Sequence, residues 1–214
     1  MFILNQTTSI ANQFLADLRN IDRQQDRMRF RRNLERLGEI MAYEVSKSLT
    51  FESHTITTPL AQTEVKRLTD NPVVISVMRA AIPFYQGFIN YFDDADSGFI
   101  GAYRREAEGQ DLEIDLDYLA APSIEGKEVL IVDPMLATGG SLLTSIKHLL
   151  VNGTPKKLHI ISAIAAPEGI EHVKNNLDLP HEFWLCALDE RLNEKSYIVP
   201  GLGDAGDLAF GQKL

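Results

Sequence analysis

The sequence predicts an α/β fold: a mostly parallel sheet flanked by helices, with an N-terminal helical segment and a β-hairpin flap. Three observations predict it. Short runs rich in Val and Ile alternate with helical periodicity from Val73 to Leu188; one run, Val129-Leu130-Ile131-Val132, passes through an acid and small residues into a helix; and the first fifty residues carry a long amphipathic pattern instead. Strand-helix alternation of this kind covers both sheet faces with helices and puts the ligand site at the carboxyl ends of the strands.

Taken in order, Phe30, Leu34, Leu37, Met41, Val45 and Leu49 recur at steps of three and four, which predicts an amphipathic helix from Met28 to Leu49. The same stretch holds a basic island, Arg23, Arg27, Arg29, Arg31, Arg32 and Arg36, which reads either as a solvated face or as a site for an anionic effector or a partner subunit. Val73 to Val77 reads as a buried strand and Phe99 to Tyr103 as another. Leu112, Ile114 and Leu116 alternate with acids across Asp111 to Asp117, as in a half-exposed hairpin or flap strand. After the strand Val129–Val132, a helix is expected over Ser141–Val151, closed by Asn152-Gly153. Leu158–Ala165 is the next strand, a helix begins at Ala166-Pro167-Glu168-Gly169, and Glu182–Leu188 is one more strand.

Composition narrows the class of function. With 214 residues, 44% hydrophobic and 24% charged, the chain has the make-up of a soluble globular protein with one large core. Its formal net charge of −9 repels a phosphate backbone, so nucleic acid is not an expected partner. One cysteine, Cys186, rules out an internal disulfide and suits a reducing cytoplasm. No basic-then-apolar leader is seen at the N-terminus, and no apolar run approaches the roughly 18 residues of a membrane span, so neither export nor a bilayer is expected. His54, His148, His159, His172 and His181 lack metal-ligand spacing and nucleophile partners, which makes each a structural or solvated residue.

The segment with chemical content is Asp133-Pro134-Met135-Leu136-Ala137-Thr138-Gly139-Gly140-Ser141, between a buried strand and a helix. Glycines allow close approach of backbone to a bulky anion, and the helix-start amides with the Thr138 and Ser141 hydroxyls supply donors. Asp133, where the strand runs out, can accept hydrogen bonds from sugar hydroxyls. The pairing suits a phosphorylated sugar. No lysine follows the glycines, so this is not a Walker loop, and the dinucleotide spacing is absent. Arg79 follows the strand ending near Val77, and Arg104 follows the strand ending at Tyr103, each offering a planar fork suited to pyrophosphate.

The wording Asp-Pro-Met-Leu-Ala-Thr-Gly-Gly-Ser resembles the phosphoribosyl pyrophosphate (PRPP) loop of type I phosphoribosyltransferases, and within them the uracil-specific branch, where a single acid precedes the proline. The similarity runs from about Tyr43-Glu44 to the C-terminus. It implies one phosphoribosyltransferase domain over 1–214, with 1–50 as a helical segment packed on it. It also implies transfer of the 5-phosphoribosyl group of PRPP to N1 of uracil, giving UMP and pyrophosphate in pyrimidine salvage. On this resemblance PRPP is bound by Arg79, Arg104, Asp204 and the whole of Asp133–Ser141, and the catalytic set is Asp133, Asp204, Arg79 and Arg104. Within the glycine-rich stretch Tyr197–Asp207, Ile198, Gly203, Asp204 and Ala205 match the family's uracil contacts, made largely by backbone.

Uracil presents an acceptor-donor-acceptor edge that peptide groups can mirror, and cytosine would leave buried polar groups unpaired at roughly 1–3 kcal/mol each. Mg²⁺ is implied as a cofactor carried mainly by PRPP oxygens, with no firm protein ligand set. GTP activation and a homodimer or homotetramer are further implications. Two positions depart from the family pattern. Ala81 stands where Arg-Ala-Gly-Leu is usual, which predicts a differently shaped pyrophosphate loop, and Ala120-Ala121-Pro122 stands where Lys-Leu-Pro is common in the flap. The competing readings are a non-catalytic sensor of PRPP or UMP, and a phosphoribosyltransferase for another base.

Overall fold

The computed structural model describes residues 1–105 and 113–212, with side chains outside 102–117. Its elements run in the order β1 (Phe2–Ile3), α1 (Ile10–Arg19), α2 (Arg27–Ser46), β2 (Phe51–Thr57), β3 (Gln62–Leu68), β4 (Val73–Met78), α3 (Ile82–Ile89), β5 (Asp96–Arg105) and β6 (Glu113–Ala120), followed by β7 (Glu128–Val132), β8 (Met135–Leu136), α4 (Gly140–Leu149), β9 (Lys157–Ala165), α5 (Pro167–Asn176), β10 (His181–Leu188), β11 (Arg191–Leu192), β12 (Ile198–Val199) and α6 (Ala205–Phe210).

The central sheet has the order β1-β10-β9-β7-β4-β5-β6, with β8 paired to β9. Every described pairing in it is parallel except β5 with β6, so the expectation of a mostly parallel sheet is met. Strands buried on both faces need apolar residues at successive positions, and β7 and β9 have them: Val129 to Val132 are all buried, as is every residue from Leu158 to Ala165. One face packs Val74, Leu130, Val132, Ile161 and Trp184 against α1, α2, α3 and α6 through Leu15, Leu18, Phe30, Leu34, Met41, Phe84 and Ala205. The other packs Ile75, Val129, Ile131, Ile160 and Leu185 against α4 and α5 through Leu142, Leu143, Ile146, Ile170 and Val173. Helices therefore lie on both faces.

The long predicted helix is α2, and Phe30, Leu34, Leu37, Met41 and Val45 are buried along its inner stripe. It begins after Asp26, whose carboxylate accepts from the Arg29 N–H at 3.0 Å, and it ends at Ser46, three residues short of the expected Leu49. Leu49 is still buried, carried there by a turn rather than by the helix. The basic island is largely committed to internal partners. Arg23 and Arg29 both pair with Asp17, Arg32 with Glu35, and Arg36 donates to Asn33 and lies over the Phe14 ring, while Arg31 donates to the Ala209 carbonyl at 2.7 Å.

Between α2 and β4 stands a feature that apolar periodicity does not signal. Strands β2 and β3 form an antiparallel hairpin in which all of β2 is exposed. Its turn is closed by Thr58, whose hydroxyl accepts from Leu60 and Ala61 N–H groups. The expected flap strand over 111–117 is met in part by β6; residues 106–112 lie outside the described set.

Candidate active site

Parallel strands bring their carboxyl ends to one edge of the sheet, and there β4 delivers Arg79, β7 delivers Asp133 and β10 delivers Asp189. A cleft of about 430 Å³ opens at this edge. One wall is Asp133–Gly139 with Ser141, a second is Val77–Ala80, and a third is Lys195–Ile198 with Gly203–Gly206. The turn after β7 and the glycine-rich C-terminal segment thus face each other across one cavity.

The turn is less open than its sequence suggests. Asp133 N–H donates to the Ile161 carbonyl, and the carbonyls of Pro134 and Leu136 accept from Ile164 and Ala166, so the chain stays in the sheet as β8 before it enters the helix. Leu136 is buried. The donors left for an anion are those from Ala137 onward. Gly140 opens α4 and, unlike its neighbours, does not line the cleft.

Gly139 has φ of +80°, a left-handed conformation that a side chain resists, and a Cβ there would lie 2.8 Å from the Gly169 carbonyl oxygen. A Cβ at Gly169 would come within 2.1 Å of the Ala137 carbonyl oxygen. The two glycines bring the turn into backbone contact with the first turn of α5. Gly139 lines the cleft, and close approach to a neighbouring helix is a second reason for glycine there beside the expected approach to a ligand. The Thr138 hydroxyl accepts weakly from the Gly140 N–H at 3.4 Å, which leaves its own proton free to point elsewhere.

Asp204 caps α6, accepting from the Asp207 N–H at 2.8 Å, so one carboxylate oxygen is held while the residue lines the cleft. Ile198 is buried at the cleft wall; Gly203 has φ of +94° and Ala205 begins α6. Lys195, Ser196 and Tyr197 also line the cavity and were not singled out as site residues from sequence. They stand on a tight turn in which the Asn193 side chain accepts from the Lys195 and Tyr197 N–H groups. Asn at the head of a short polar run between two hydrophobic stretches is the signal that could have marked that turn.

Comparison with known proteins decides the family. A family model described as uracil phosphoribosyltransferase matches residues 6–212. The chain belongs to that family. A uracil phosphoribosyltransferase from Porphyromonas gingivalis is 45% identical over 206 residues, covering 96% of this chain and 95% of the relative. One from Pyrococcus furiosus is 40% identical over 205 residues, covering 94% and 86%. A solved structure of a protein from Aquifex aeolicus superimposes with a TM-score of 0.86 at 31% identity, covering 99% of this chain and 98% of the other.

The structure adds detail at two positions of this member of the uracil phosphoribosyltransferase family. Arg79 is not waiting in open solvent. Its Nη2 donates to Asp207 Oδ1 at 3.0 Å and to the Gly211 carbonyl at 2.7 Å, while its buried Nε has no hydrogen-bond partner among the described residues. Ala81, expected to reshape the loop because it disfavours positive φ, has φ of −72° and ψ of −19° and caps the start of α3, so no glycine is required there. Arg104 lies in β5 opposite Ile114 of β6, and its side chain is outside the described set. Among the described residues no group of three His, Cys, Asp or Glu side chains is placed to hold a metal ion, and no helix is long and apolar enough to cross a membrane.

Proposed function

We propose that this chain transfers the 5-phosphoribosyl group of PRPP to N1 of uracil, releasing pyrophosphate and forming UMP. The observation that carries the reading is the single cleft between the Asp133–Ser141 turn and the Gly203–Gly206 segment, in a chain of this family. On this reading the amides from Ala137 to Ser141 and the Thr138 hydroxyl hold the 5-phosphate, and Asp133 accepts from the ribose hydroxyls. Arg79 and Arg104 take charge from the departing pyrophosphate. Ile198, Gly203 and Ala205 present peptide groups to the uracil edge, and Asp204 lies between base and sugar. An oxocarbenium-like transition state asks the protein for position, charge neutralisation and exclusion of water rather than for a nucleophile.

Mg²⁺ fits the donor set as an ion that arrives with its own phosphate ligands, because among the described residues the cleft offers Asp133 and Asp204 but no closed cage. When bound it withdraws charge from the leaving pyrophosphate. We read residues 1–214 as one catalytic domain acting in the cytoplasm, with GTP as an effector.

A second copy of the chain is the proposed partner. The hairpin β2–β3 touches the core only through half-buried Leu68 at its base, and a lone hairpin is marginally stable in water. Phe51, Ile56 and Leu60 are exposed on it.

The test is an assay of uracil with PRPP and Mg²⁺, with and without GTP, beside cytosine, hypoxanthine and orotate. UMP and pyrophosphate are expected from uracil alone. Saturable PRPP binding without product would support a sensor, and equal use of another base would overturn the choice of uracil. Sedimentation of the intact chain should give a dimer or tetramer mass.

A further inference from the structure

Gly201 lies just after β12, within the segment assigned to the base, and both polar groups of its backbone are taken by side chains, one 12 and the other 182 positions away in sequence. Its N–H donates to Asp189 Oδ2 at 2.9 Å, and its carbonyl accepts from Arg19 Nη1 at 2.9 Å. Arg19 and Asp189 are joined to each other by two further bonds, Nη1 to Oδ2 at 2.9 Å and Nη2 to Oδ1 at 2.6 Å. The result is a closed ring of four hydrogen bonds around one residue. Gly201 itself has φ of +63°, and a Cβ there would lie 2.1 Å from the Ile198 carbonyl oxygen, so the chain doubles back at this point with no freedom to take a side chain.

We infer that Arg19 and Asp189 are a positioning pair for the proposed reaction, setting the shape of the segment assigned to the base. The inference rests on the reading of Ile198–Ala205 as the uracil site. Asp189 is rooted in the sheet, its N–H donating to the Ala165 carbonyl at the end of β9 at 2.8 Å, and its side chain is 4% exposed. Arg19 is the last residue of α1, a helix docked on its own account by buried Ala11, Leu15 and Leu18. The pair therefore transmits the position of two rigid elements to Gly201, two residues before Gly203.

A buried ion pair is weak support for stability, because desolvation offsets much of the attraction. What this pair adds is geometry. A base read by peptide groups has no long side chain to adjust, so a displaced backbone loses the hydrogen-bond pattern outright. The 5-phosphate turn shares no bond with Arg19, Asp189 or Gly201 among those described, and its function should be indifferent to them.

The test uses the full chain with Asp189→Asn, Arg19→Met and Arg19→Lys, measuring KM for uracil at saturating PRPP, the equilibrium binding of PRPP alone, the ratio of uracil to cytosine use, and thermal unfolding. Uracil KM should rise about ten- to hundredfold in Asp189→Asn and Arg19→Met. The uracil preference should narrow, PRPP binding should weaken far less than uracil KM rises, since only Asp204 of this segment is assigned to PRPP, and Arg19→Lys should recover part of the loss. Should Arg19→Met fail to fold, the near-isosteric Asp189→Asn and the charge-conserving Arg19→Lys decide the matter. Wild-type uracil KM in the folded variants overturns the inference, as does a fall in PRPP affinity that parallels the rise in uracil KM. Gly203→Val in the same series separates this from the site assignment: a wild-type uracil KM in that variant defeats the base site itself, whereas its loss beside unaffected pair variants defeats only the positioning pair.

Discussion

The two walls of the cleft are built in opposite ways. The 5-phosphate turn runs without interruption from β7 through β8 into α4, and the bonds that hold it come from β9 and from Ala166 just after it, with α5 in close contact through Gly169. The base segment is shaped by residues 170 to 182 positions away, Arg19 and Arg31 on the N-terminal helices gripping Asp189, Gly201 and Ala209 near the other end of the chain. A wall made locally should break through its own backbone. A wall made at long range should break through side chains that never touch the substrate.

The largest effect expected on the local wall is from Gly169→Ala. One methyl group would stand 2.1 Å from the Ala137 carbonyl oxygen, and a backbone atom cannot yield as a side-chain tip can. Overpacking of this kind costs about 1–3 kcal/mol of stability, and the displaced turn should lower kcat/KM for PRPP about a hundredfold. Denaturant unfolding and PRPP-dependent kinetics on one preparation check both halves. Wild-type PRPP kinetics would mean that the contact between turn and α5 does not shape the phosphate site.

Next in size is Asp133→Asn, set against Gly203→Val. The first should raise KM for PRPP by roughly ten- to hundredfold, the worth of about 1.5–3 kcal/mol for hydrogen bonds to a charged group, and leave base selection alone. Gly203→Val places a β-branched residue at φ of +94° and should abolish uracil use while PRPP binding persists. Identical changes in both variants would erase the distinction between the two walls.

The same contrast explains what could be read before the structure. The run Val129–Val132, the single acid and the small residues before α4 are contiguous, so the geometry they produce is written in one window of sequence. Residues Arg19 and Asp189 carry no such mark; a charged residue at the end of a helix and another after a strand look like solvated surface until the fold brings them to 2.6 Å. The hairpin β2–β3 went unseen for a different reason: with every residue of β2 exposed it buries no apolar face, so alternation of hydrophobicity gives no signal there, and only its Thr and Ile content and the Thr58-Pro59 turn hint at strands. The helix α1 did carry a signal, a Ser9–Asn12 capping box before Ala11, Leu15 and Leu18, but its functional weight comes from Arg19, whose partners lie across the molecule.

A smaller effect is expected at the seam between the walls. Asp207→Asn removes the ion pair with Arg79 but keeps the α6 start, because the Asp207 N–H still donates to Asp204. Both partners are about a third exposed, 30% and 36%, so screening limits the pair to below about 1 kcal/mol. KM for PRPP should change by a few fold at most, downward if Asp207 competes with pyrophosphate for Arg79. A rise of a hundredfold would show instead that the pair holds Arg79 in its working position.

The smallest effect on catalysis should come from a polar cluster at the opposite edge of the sheet, where β7 and β9 begin. His159 is fully buried; its Nδ1 accepts from the Trp184 indole N–H at 3.0 Å, so its proton is on Nε2, which donates to Glu128 at 3.0 Å. Burial drives the His159 pKa below its ordinary 6.5, against the pull of Glu128. Burial pushes Glu128 upward, but hydrogen bonds from His159 and Lys156 more than offset it and leave its pKa below the ordinary 4.5. Both folded-state values are depressed, so at falling pH the unfolded chain takes up protons first. The stability contributed by His159 is fully present above about pH 6.5 and is lost as pH falls from there through its folded value; that of Glu128 is lost below 4.5. Replacing His159 by Gln should flatten the dependence of Tm on pH below 6.5 while leaving KM for uracil and PRPP at neutral pH unchanged. Parallel Tm curves for the two proteins would remove His159 as the source, and a shift in either KM would couple this edge of the sheet to the cleft at the other.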